Sequence, residues 1–214
     1  VPKKQRVPDE KGCAFDFLYE GGKQLPVPKE LKDLVEAVHL ATPALFCQSP
    51  DPPSPGYFHL KVPTDVARLV DAIQCHNRGT TGASVTLAMP DQGTFDHPYY
   101  TARGYDITLD SSAYDGTADS GSHGTAIAAN ALAVAPGVHF IGIQNGKKIT
   151  SATAAFQQAV AHNPDVISIS WGTTSDVPNL RAAVAEAIAD GITICCACGN
   201  GGDVVFPSSI SEVI

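Results

Sequence analysis

Three apolar segments separated by helical segments constrain the fold of this chain most strongly. Residues 83–89, 164–172 and 191–198 each have the composition of a buried strand. Helices are predicted at residues 152–163, which end before Pro164, and at residues 179–190, which end at Gly191. Strands that alternate with helices pair in parallel, and the helices cover the faces of the sheet. The sequence therefore predicts an α/β fold with a mainly parallel sheet flanked by helices.

The first of these strands leads to a candidate catalytic carboxylate. We expect it to end at Pro90-Asp91-Gln92-Gly93, since this sequence is typical of a turn. Catalytic groups gather at the carboxyl ends of parallel strands, where Asp91 would be well placed to orient an imidazole. The alternative is that Asp91 is only a turn residue.

A histidine stands where a glycine-bearing loop becomes a helix. The sequence Gly121-Ser122-His123-Gly124-Thr125-Ala126 leads into small and apolar residues up to 135, so this helix is expected to be packed on most of its faces. Its first turn would carry His123 into the core, where the imidazole can act as a fixed base. Taken alone, a histidine here is better explained by a helix cap or a core hydrogen bond, so the catalytic interpretation needs partners.

The other two strands end in residues that could stabilise an oxyanion or hold an extended peptide. The strand at 191–198 runs into Gly199-Asn200-Gly201, and the Asn200 amide can donate to an oxyanion. The alternative is a left-handed turn residue, which Asn-Gly favours by itself. The strand at 164–172 ends in Ser170-Trp171-Gly172, an edge that could hold an extended peptide.

These motifs, taken in order, resemble the subtilisin-like serine peptidases, the subtilases. The matching sequences are Asp91-Gln92-Gly93, Asp96-His97-Pro98, Ser-His-Gly-Thr at 122–125, Val134-Ala135-Pro136-Gly137, Ser168 to Gly172, and Gly199-Asn200. The resemblance covers residues 79–214 and implies the three-layer subtilisin-like fold. It implies that His123 is the general base, Asp91 the carboxylate that orients it, and Asn200 the oxyanion donor.

The same resemblance implies two strands that bind a substrate backbone and border its specificity pocket. Strand addition of this kind uses the backbone groups of an exposed edge. The predicted substrate-binding residues are Ser170, Trp171, Gly172, Ala197, Cys198 and Gly199.

The sedolisins, acid-acting peptidases of the same clan, are the nearest rival. Sedolisins have Glu where this chain has His123, Asp where it has Ile127, and Asp where it has Asn200. All three positions favour the subtilisin type. An imidazole base must be neutral to accept a proton, so activity should rise through pH values near the unperturbed histidine pKa of about 6.5.

Two departures from the subtilase pattern affect the mechanism. The small hydroxyl residue usually found after the catalytic Asp is Gln92 here, and Met89-Pro90 replaces the usual apolar residues before it. The Gly-Thr-Ser sequence of the nucleophile does not occur, and Ser208, Ser209 and Ser211 lack the glycine-flanked turn and the following helix. We therefore expect the chain to be the N-terminal portion of a subtilase, ending before the catalytic serine.

This expectation leaves several arrangements open. The favoured one is a serine endopeptidase made as a zymogen, whose serine is supplied by a complementary C-terminal chain after autoproteolytic nicking. A truncated enzyme is a second arrangement. A catalytically inactive homologue that acts as a peptide-binding or structural subunit is a third.

Residues 1–61 carry no motif and are predicted to be an N-terminal extension or a propeptide remnant, whereas residues 62–214 form the N-terminal part of the catalytic domain. A strand is predicted at 13–19, an amphipathic helix at 28–39 and a short helix at 66–74.

Composition excludes some partners and says little about others. The net charge of −8 and the absence of a basic run argue against nucleic acid. No segment reaches the roughly 20 apolar residues of a membrane span. A peptide or protein substrate is the expected partner, and secretion is favoured over a cytoplasmic location.

No cofactor and no metal site are predicted. Calcium sites vary in subtilases and are not assignable here. Four carboxylates make one loop acidic, and a solvated loop explains them best: Asp106, Asp110, Asp115 and Asp119. Three cysteines of one strand are interpreted as small core residues with the wrong spacing for zinc, namely Cys195, Cys196 and Cys198. Cys13, Cys47 and Cys75 could pair or stay free.

Overall fold

The computed structural model describes residues 29, 45–46, 60–116, 123–200, 202 and 204–214. The strands of this part are β1 (Leu45–Phe46), β2 (Thr86–Asp91), β3 (Ile107–Asp110), β4 (His139–Gln144), β5 (Val166–Ile169), β6 (Trp171–Gly172) and β7 (Thr193–Cys196). Its helices are α1 (Thr64–Leu69), α2 (Ala72–His76), α3 (Pro98–Thr101), α4 (His123–Val134), α5 (Ile149–Ala161) and α6 (Pro178–Ala189). The strand predicted at 13–19 and, apart from Lys29, the helix predicted at 28–39 lie outside the described residues.

Among the described residues, five strands form the central sheet in the order β3-β4-β2-β5-β7. Every neighbouring pair in it is parallel. Since β2 lies in the middle and pairs with β4 along its whole length, its carboxyl end is held firmly at one edge of the sheet. The α/β fold predicted from the alternating pattern is confirmed.

Two hydrophobic clusters lie on opposite faces of this sheet. Phe140 on β4 packs with Leu132 of α4, whereas the next residue, Ile141, packs with residues of α5 and α6 such as Phe156 and Leu180. Successive side chains of a strand point to opposite faces, so α4 covers one face and α5 with α6 the other. The described part of the chain therefore has the predicted three layers.

Small residues let α5 pack closely against the sheet. Ala152, Ala155, Phe156 and Ala159 recur at helical spacing, and each is fully buried. The helix α6 begins with Pro178 in its first turn and is followed by Gly191, which has a φ of 85°. Proline suits a helix start and glycine a left-handed stop, so both ends of α6 follow from the sequence.

The prediction that no strand continues through Pro90-Asp91 is wrong. Both residues belong to β2, opposite Ile143 and Gln144 of β4. A residue's N–H and C=O point to the same side of its strand, and the Pro90 carbonyl points toward Trp171, which donates to it. On that side β5 pairs only with Leu87 and Ala88, so the N–H that proline lacks is not needed by any neighbouring strand.

One helix prediction is confirmed and one needs correction. The helix α4 is packed on most of its faces, since its exposed residues form a single stripe, Ala126, Asn130 and Val134, and the others are buried or half-buried. The single helix predicted at 66–74 is two helices, because Asp71 between α1 and α2 adopts a left-handed φ of 59°. Such a residue ends a right-handed helix, and Asp tolerates this conformation better than most.

A second, two-stranded sheet lies beyond the end of β5. The strand β1 pairs antiparallel with β6, with Leu45 opposite Gly172 and Phe46 opposite Trp171. The strand β6 is part of the predicted substrate-binding edge. A segment of the same chain is therefore paired with that edge in an extended conformation.

Candidate active site

Asp91 and His123 meet at the carboxyl end of β2. The His123 Nδ1 atom lies 2.8 Å from Asp91 Oδ1, although the two residues are far apart in sequence. The Asp91 side chain is fully buried and that of His123 is 10% exposed. The structure thus brings together two of the three predicted catalytic residues, with the carboxylate behind the imidazole.

The first turn of α4 is fixed to the loop that follows β2. The Gly124 N–H donates to the Gln92 carbonyl at 2.8 Å, and the Thr125 hydroxyl donates to the Gly93 carbonyl at 2.8 Å. The same hydroxyl accepts from the Phe95 N–H at 2.9 Å. These bonds hold the residue that precedes them, His123, at a fixed distance from Asp91.

Glycine is required at position 124. A Cβ there would collide with the Thr94 hydroxyl and would lie 2.8 Å from the Gln92 carbonyl oxygen. Any side chain would therefore push the start of α4 away from the loop and lengthen the Asp91–His123 hydrogen bond.

The Asp91 carboxylate has an asymmetric environment. Its Oδ1 atom accepts from His123 and from the Gln92 N–H at 2.7 Å, whereas Oδ2 is buried and has no hydrogen-bond partner within the described structure. Burial raises the pKa of Asp91 above its usual value, although the hydrogen bond and charge of His123 and the Gln92 N–H oppose the shift. A donor on Oδ2 would favour the charged form, but the described residues supply none.

This geometry selects the histidine tautomer. An ionised carboxylate only accepts hydrogen bonds, so His123 Nδ1 carries the proton that Asp91 Oδ1 accepts. The second ring nitrogen, Nε2, is then the basic atom. An imidazole held in this way can take a proton at Nε2 while the buried carboxylate stabilises the imidazolium that forms.

Trp171 joins the predicted substrate edge to the strand that carries Asp91. Its fully buried indole donates from Nε1 to the Pro90 carbonyl at 2.8 Å. Pro90 directly precedes Asp91, so β6 and the carboxyl end of β2 are joined by one hydrogen bond. Of the three residues of this edge, Trp171 and Gly172 are buried and Ser170 is half-buried.

The second predicted edge follows β7 at the same end of the sheet. The Ala197 N–H donates to the Ile169 carbonyl at 2.9 Å, which extends the pairing of β5 with β7. Cys198 is exposed, Gly199 has a φ of 110°, and Asn200 lies exposed four residues beyond β7. The side chain of Asn200 is therefore accessible at the edge where β2 ends.

The cysteine prediction holds only in part. Cys195 and Cys196 are half-buried, but Cys198 is exposed because it lies beyond the last residue of β7. Burial raises the pKa of Cys196 to about 12, and the neighbouring Cys195 adds to the shift. Cys75 is free and exposed, and Cys13 and Cys47 lie outside the described residues.

Metal ligands do not gather in the described ranges. No three His, Cys, Asp or Glu side chains there lie close enough to hold a metal ion. Two carboxylates of the acidic loop pair with histidines instead: Asp106 with His139 at 2.9 Å and Asp110 with His162 at 2.8 Å. Asp119 lies outside the described residues.

Sequence reasoning missed three supports of this site. The Gln92 backbone N–H donates to the Asp91 carboxylate, the Trp171 indole N–H to the Pro90 carbonyl, and the Thr125 hydroxyl to the Gly93 carbonyl. Thr125 and Trp171 belong to motifs that the sequence analysis singled out, so their position was visible but their partners were not. No pattern in the sequence shows which carbonyl an indole will reach.

Comparison with known proteins agrees with this geometry. The model of the "Subtilase family" matches residues 82–214. The major intracellular serine protease of Bacillus subtilis (strain 168) is 29% identical over 174 residues, which are 69% of this chain and 54% of that protein. Subtilisin Savinase of Lederbergia lenta is 30% identical over 169 residues, 72% of this chain and 62% of that protein.

A third relative and one solved structure extend the comparison. The minor extracellular protease Epr of Bacillus subtilis (strain 168) is 30% identical over 66% of this chain and 24% of that protein. The structure of prenylagaramide maturation protease PagA superimposes with a TM-score of 0.54 and 18% identity, and covers 67% of this chain and 56% of that chain. The chain spans less than two thirds of the length of each of these proteins. Because the family model matches more than half of its residues, the chain belongs to the subtilase family.

Proposed function

We propose that this chain carries the base, the orienting acid and the oxyanion donor of a serine endopeptidase. The observation that supports the proposal most directly is the 2.8 Å hydrogen bond between buried Asp91 and His123, at the carboxyl end of a central parallel strand. The relatives named above are called proteases, and the family that the chain belongs to is the same. The substrate is a peptide or protein.

The reaction follows from the tautomer. His123 Nε2 removes the proton of a serine hydroxyl as its oxygen attacks the peptide carbonyl carbon, and the Asn200 amide donates to the oxyanion. The imidazolium then gives this proton to the leaving amine, and an acyl-enzyme remains. Water hydrolyses the acyl-enzyme by the same two proton transfers, which restores the serine.

We propose that the serine is supplied by a separate C-terminal chain after proteolytic nicking. The described serines that follow Asn200 offer little support for a nucleophile among them. The Ser208 hydroxyl donates to the Val205 carbonyl at 2.6 Å, and the Ser211 hydroxyl donates to the Glu212 carboxylate at 2.7 Å. The hydroxyls of Ser208 and Ser211 are thus engaged within their own loop.

We further propose that the protein is made as a zymogen, and the position of β1 supports this. Because β1 pairs antiparallel with β6, it takes the place that an extended substrate would need on this edge. Leu45→Pro and Phe46→Pro each remove one backbone N–H from β1. Whichever of the two breaks the pairing of β1 with β6 should bind peptides more tightly than the unaltered protein. Unchanged peptide binding in both variants would argue against a blocked edge.

The alternative function is a catalytically inactive subtilase homologue that binds peptides or serves as a structural subunit. The β1–β6 pairing fits peptide binding as well as it fits hydrolysis, because both need an extended segment to pair with the backbone of β6. The exposed Asn200 amide distinguishes the two, since binding alone has no use for an oxyanion donor.

Labelling of the native protein with a fluorophosphonate probe, followed by denaturing mass spectrometry, tests the proposal. Label on a serine of a second polypeptide is expected, and label on a later serine of one continuous chain would support the peptidase but reject nicking. No label on any serine, in protein that still binds peptides, would support the inactive homologue.

Secretion also stays a proposal, because the relatives include proteins named intracellular and extracellular. No helix in the described residues is long and apolar enough to cross a membrane.

A further inference from the structure

Tyr100 joins α3 to the first turn of the helix that carries His123. Its hydroxyl donates to the Thr125 carbonyl at 2.8 Å, two residues beyond His123. Tyr100 is only 2% exposed, and its ring belongs to the hydrophobic cluster that contains Met89 of β2 and Ala128 of α4. Tyr100 thus shares a cluster with both elements of the catalytic pair and is hydrogen-bonded to one of them.

The backbone of Tyr100 is itself held in place. Its N–H donates to the His97 carbonyl at 2.9 Å, and its carbonyl accepts from the Tyr105 N–H at 3.2 Å. The His97 ring also caps α3, since its Nδ1 atom accepts from the Tyr99 N–H at 3.1 Å. The motif Asp96-His97-Pro98, to which the proposed reaction gives no role, therefore begins the helix that fixes Tyr100.

The bond from Tyr100 holds a part of α4 that the loop after β2 does not hold. That loop accepts from the Gly124 N–H and from the N–H and hydroxyl of Thr125. Helical N–H groups point toward the start of the helix and carbonyls point toward its end, so Tyr100 holds Thr125 from the opposite side. Because His123 belongs to the same turn, a tilt of this turn would move the imidazole relative to Asp91.

We propose that Tyr100 is a positioning residue that, through its bond to the Thr125 carbonyl, keeps the His123 imidazole aligned with Asp91. The inference rests on the proposed function, because the aligned imidazole is the base of the proposed peptidase. Burial raises the pKa of Tyr100 above its usual value of 10. The hydroxyl therefore stays a donor through the pH range near 6.5 and above in which an imidazole base is neutral.

Tyr100→Phe removes this hydroxyl and keeps the ring that fills the cluster. Tyr105→Phe is the matched control, because Tyr105 is half-buried against the same cluster and its ring centroid lies 6.0 Å from that of Tyr99 on α3. Each variant loses one oxygen beside α3, so a general effect on packing should appear in both. The bond to the Thr125 carbonyl is lost in Tyr100→Phe alone.

Hydrolysis of a peptide anilide by the full-length protein is the first readout. The predicted substrate edges lie on other elements, so the loss should fall on kcat and leave KM unchanged. A displacement of about 1 Å at a reacting group costs on the order of 100-fold, and we expect Tyr100→Phe to lower kcat by about 5- to 100-fold. Tyr105→Phe should change kcat by less than about twofold. Each kcat is referred to the folded fraction, which urea unfolding measures.

Proton NMR of the His123 Nδ1–H is a second readout, and it needs no hydrolysis. A short hydrogen bond to a carboxylate moves the bonded proton downfield. Tyr100→Phe should therefore move this resonance upfield, whereas Tyr105→Phe should leave it in place. The resonance is assigned by its loss in His123→Ala, and it comes from folded molecules only, so lower stability does not imitate the result.

The outcomes separate this inference from the proposed function. If the unaltered protein hydrolyses peptides, a lower kcat and an upfield proton in Tyr100→Phe alone uphold the positioning role. One change without the other, a raised KM in place of a lower kcat, or equal changes in both variants would overturn it and leave the peptidase intact. If the unaltered protein hydrolyses no peptide, the peptidase is rejected and the proton decides the role: an upfield shift confined to Tyr100→Phe upholds it, and any other result overturns it.

Discussion

Asp91→Asn removes the charge behind His123 while it keeps the shape of the side chain. The two groups are 2.8 Å apart, so an imidazolium and a carboxylate attract each other by at most about 6 kcal/mol at an effective dielectric constant of about 20. One tenfold change in rate corresponds to about 1.4 kcal/mol, so the upper limit of the loss is on the order of 10⁴-fold. An Asp→Asn change in the chymotrypsin-type triad, which has the same arrangement, lowers kcat by about the same factor.

The same substitution should not reduce the free energy of unfolding at pH 7. Burial raises the pKa of Asp91 from its usual value of 3.8, so in the folded state the ionised carboxylate is disfavoured. The contribution of such a group to stability is present below the unfolded pKa and is lost as the pH rises through the folded pKa. Asn has no charge to desolvate, and the variant should therefore gain stability over the wild type as the pH rises above about 4.

The assay compares kcat/KM for a peptide anilide with the free energy of unfolding in urea, both measured between pH 4 and pH 8. Asp165→Asn is the matched control, because this exposed carboxylate accepts from the Thr86 N–H at 2.7 Å at the opposite end of β2. Retention of more than a tenth of the activity in Asp91→Asn would refute the orienting role. A large loss of stability at pH 7 would refute the account of the buried charge.

Three further predictions concern single groups of the site. Asn200→Ala should lower kcat by about 10²- to 10³-fold in peptide hydrolysis, and a fall of less than threefold would mean that Asn200 is only a turn residue. Trp171→Phe leaves the Pro90 carbonyl without its donor and should cost about 1 to 3 kcal/mol in urea unfolding, whereas an unchanged midpoint would show that water replaces the indole. Gln92→Ser places a hydroxyl beside the Asp91 carboxylate and should lower the pKa of Asp91, followed through the ¹³C shift of its carboxyl carbon; an unchanged pKa would contradict the assignment of Oδ2 as lacking a donor.

Much of the position of the candidate site was predicted from the sequence, since strand periodicity placed Asp91 at the carboxyl end of a parallel strand and the resemblance of the motifs paired it with His123. The structure has α3 and β3 between these two elements and still brings the two side chains together. The proline before Asp91 misled the prediction of the strand end. Whether a strand tolerates proline depends on which side its neighbour pairs, and that is decided by the strand order in space, which no local pattern contains.

Close contacts between distant segments also could not be predicted from the sequence. The sequence does not indicate that Gly172 and Val205 are in contact, because one lies in β6 and the other in the segment after β7. Their contact depends on the pairing of Thr173 with Phe206. The pairing of Leu45 with Gly172 joins a segment without any motif to the predicted substrate edge. Such pairings use backbone groups, which every residue carries, so composition does not reveal them.

The central claim is that His123 is the base of a peptidase, and one comparison tests it most directly. His123→Ala and His139→Ala each remove a histidine that pairs with an aspartate, at 2.8 and 2.9 Å, but His139 lies at the start of β4, at the other end of the sheet. We predict that His123→Ala lowers the kcat/KM for peptide hydrolysis by several orders of magnitude, while His139→Ala changes it by less than threefold. Near-normal hydrolysis by His123→Ala, or an equal loss in both variants, would contradict the claim.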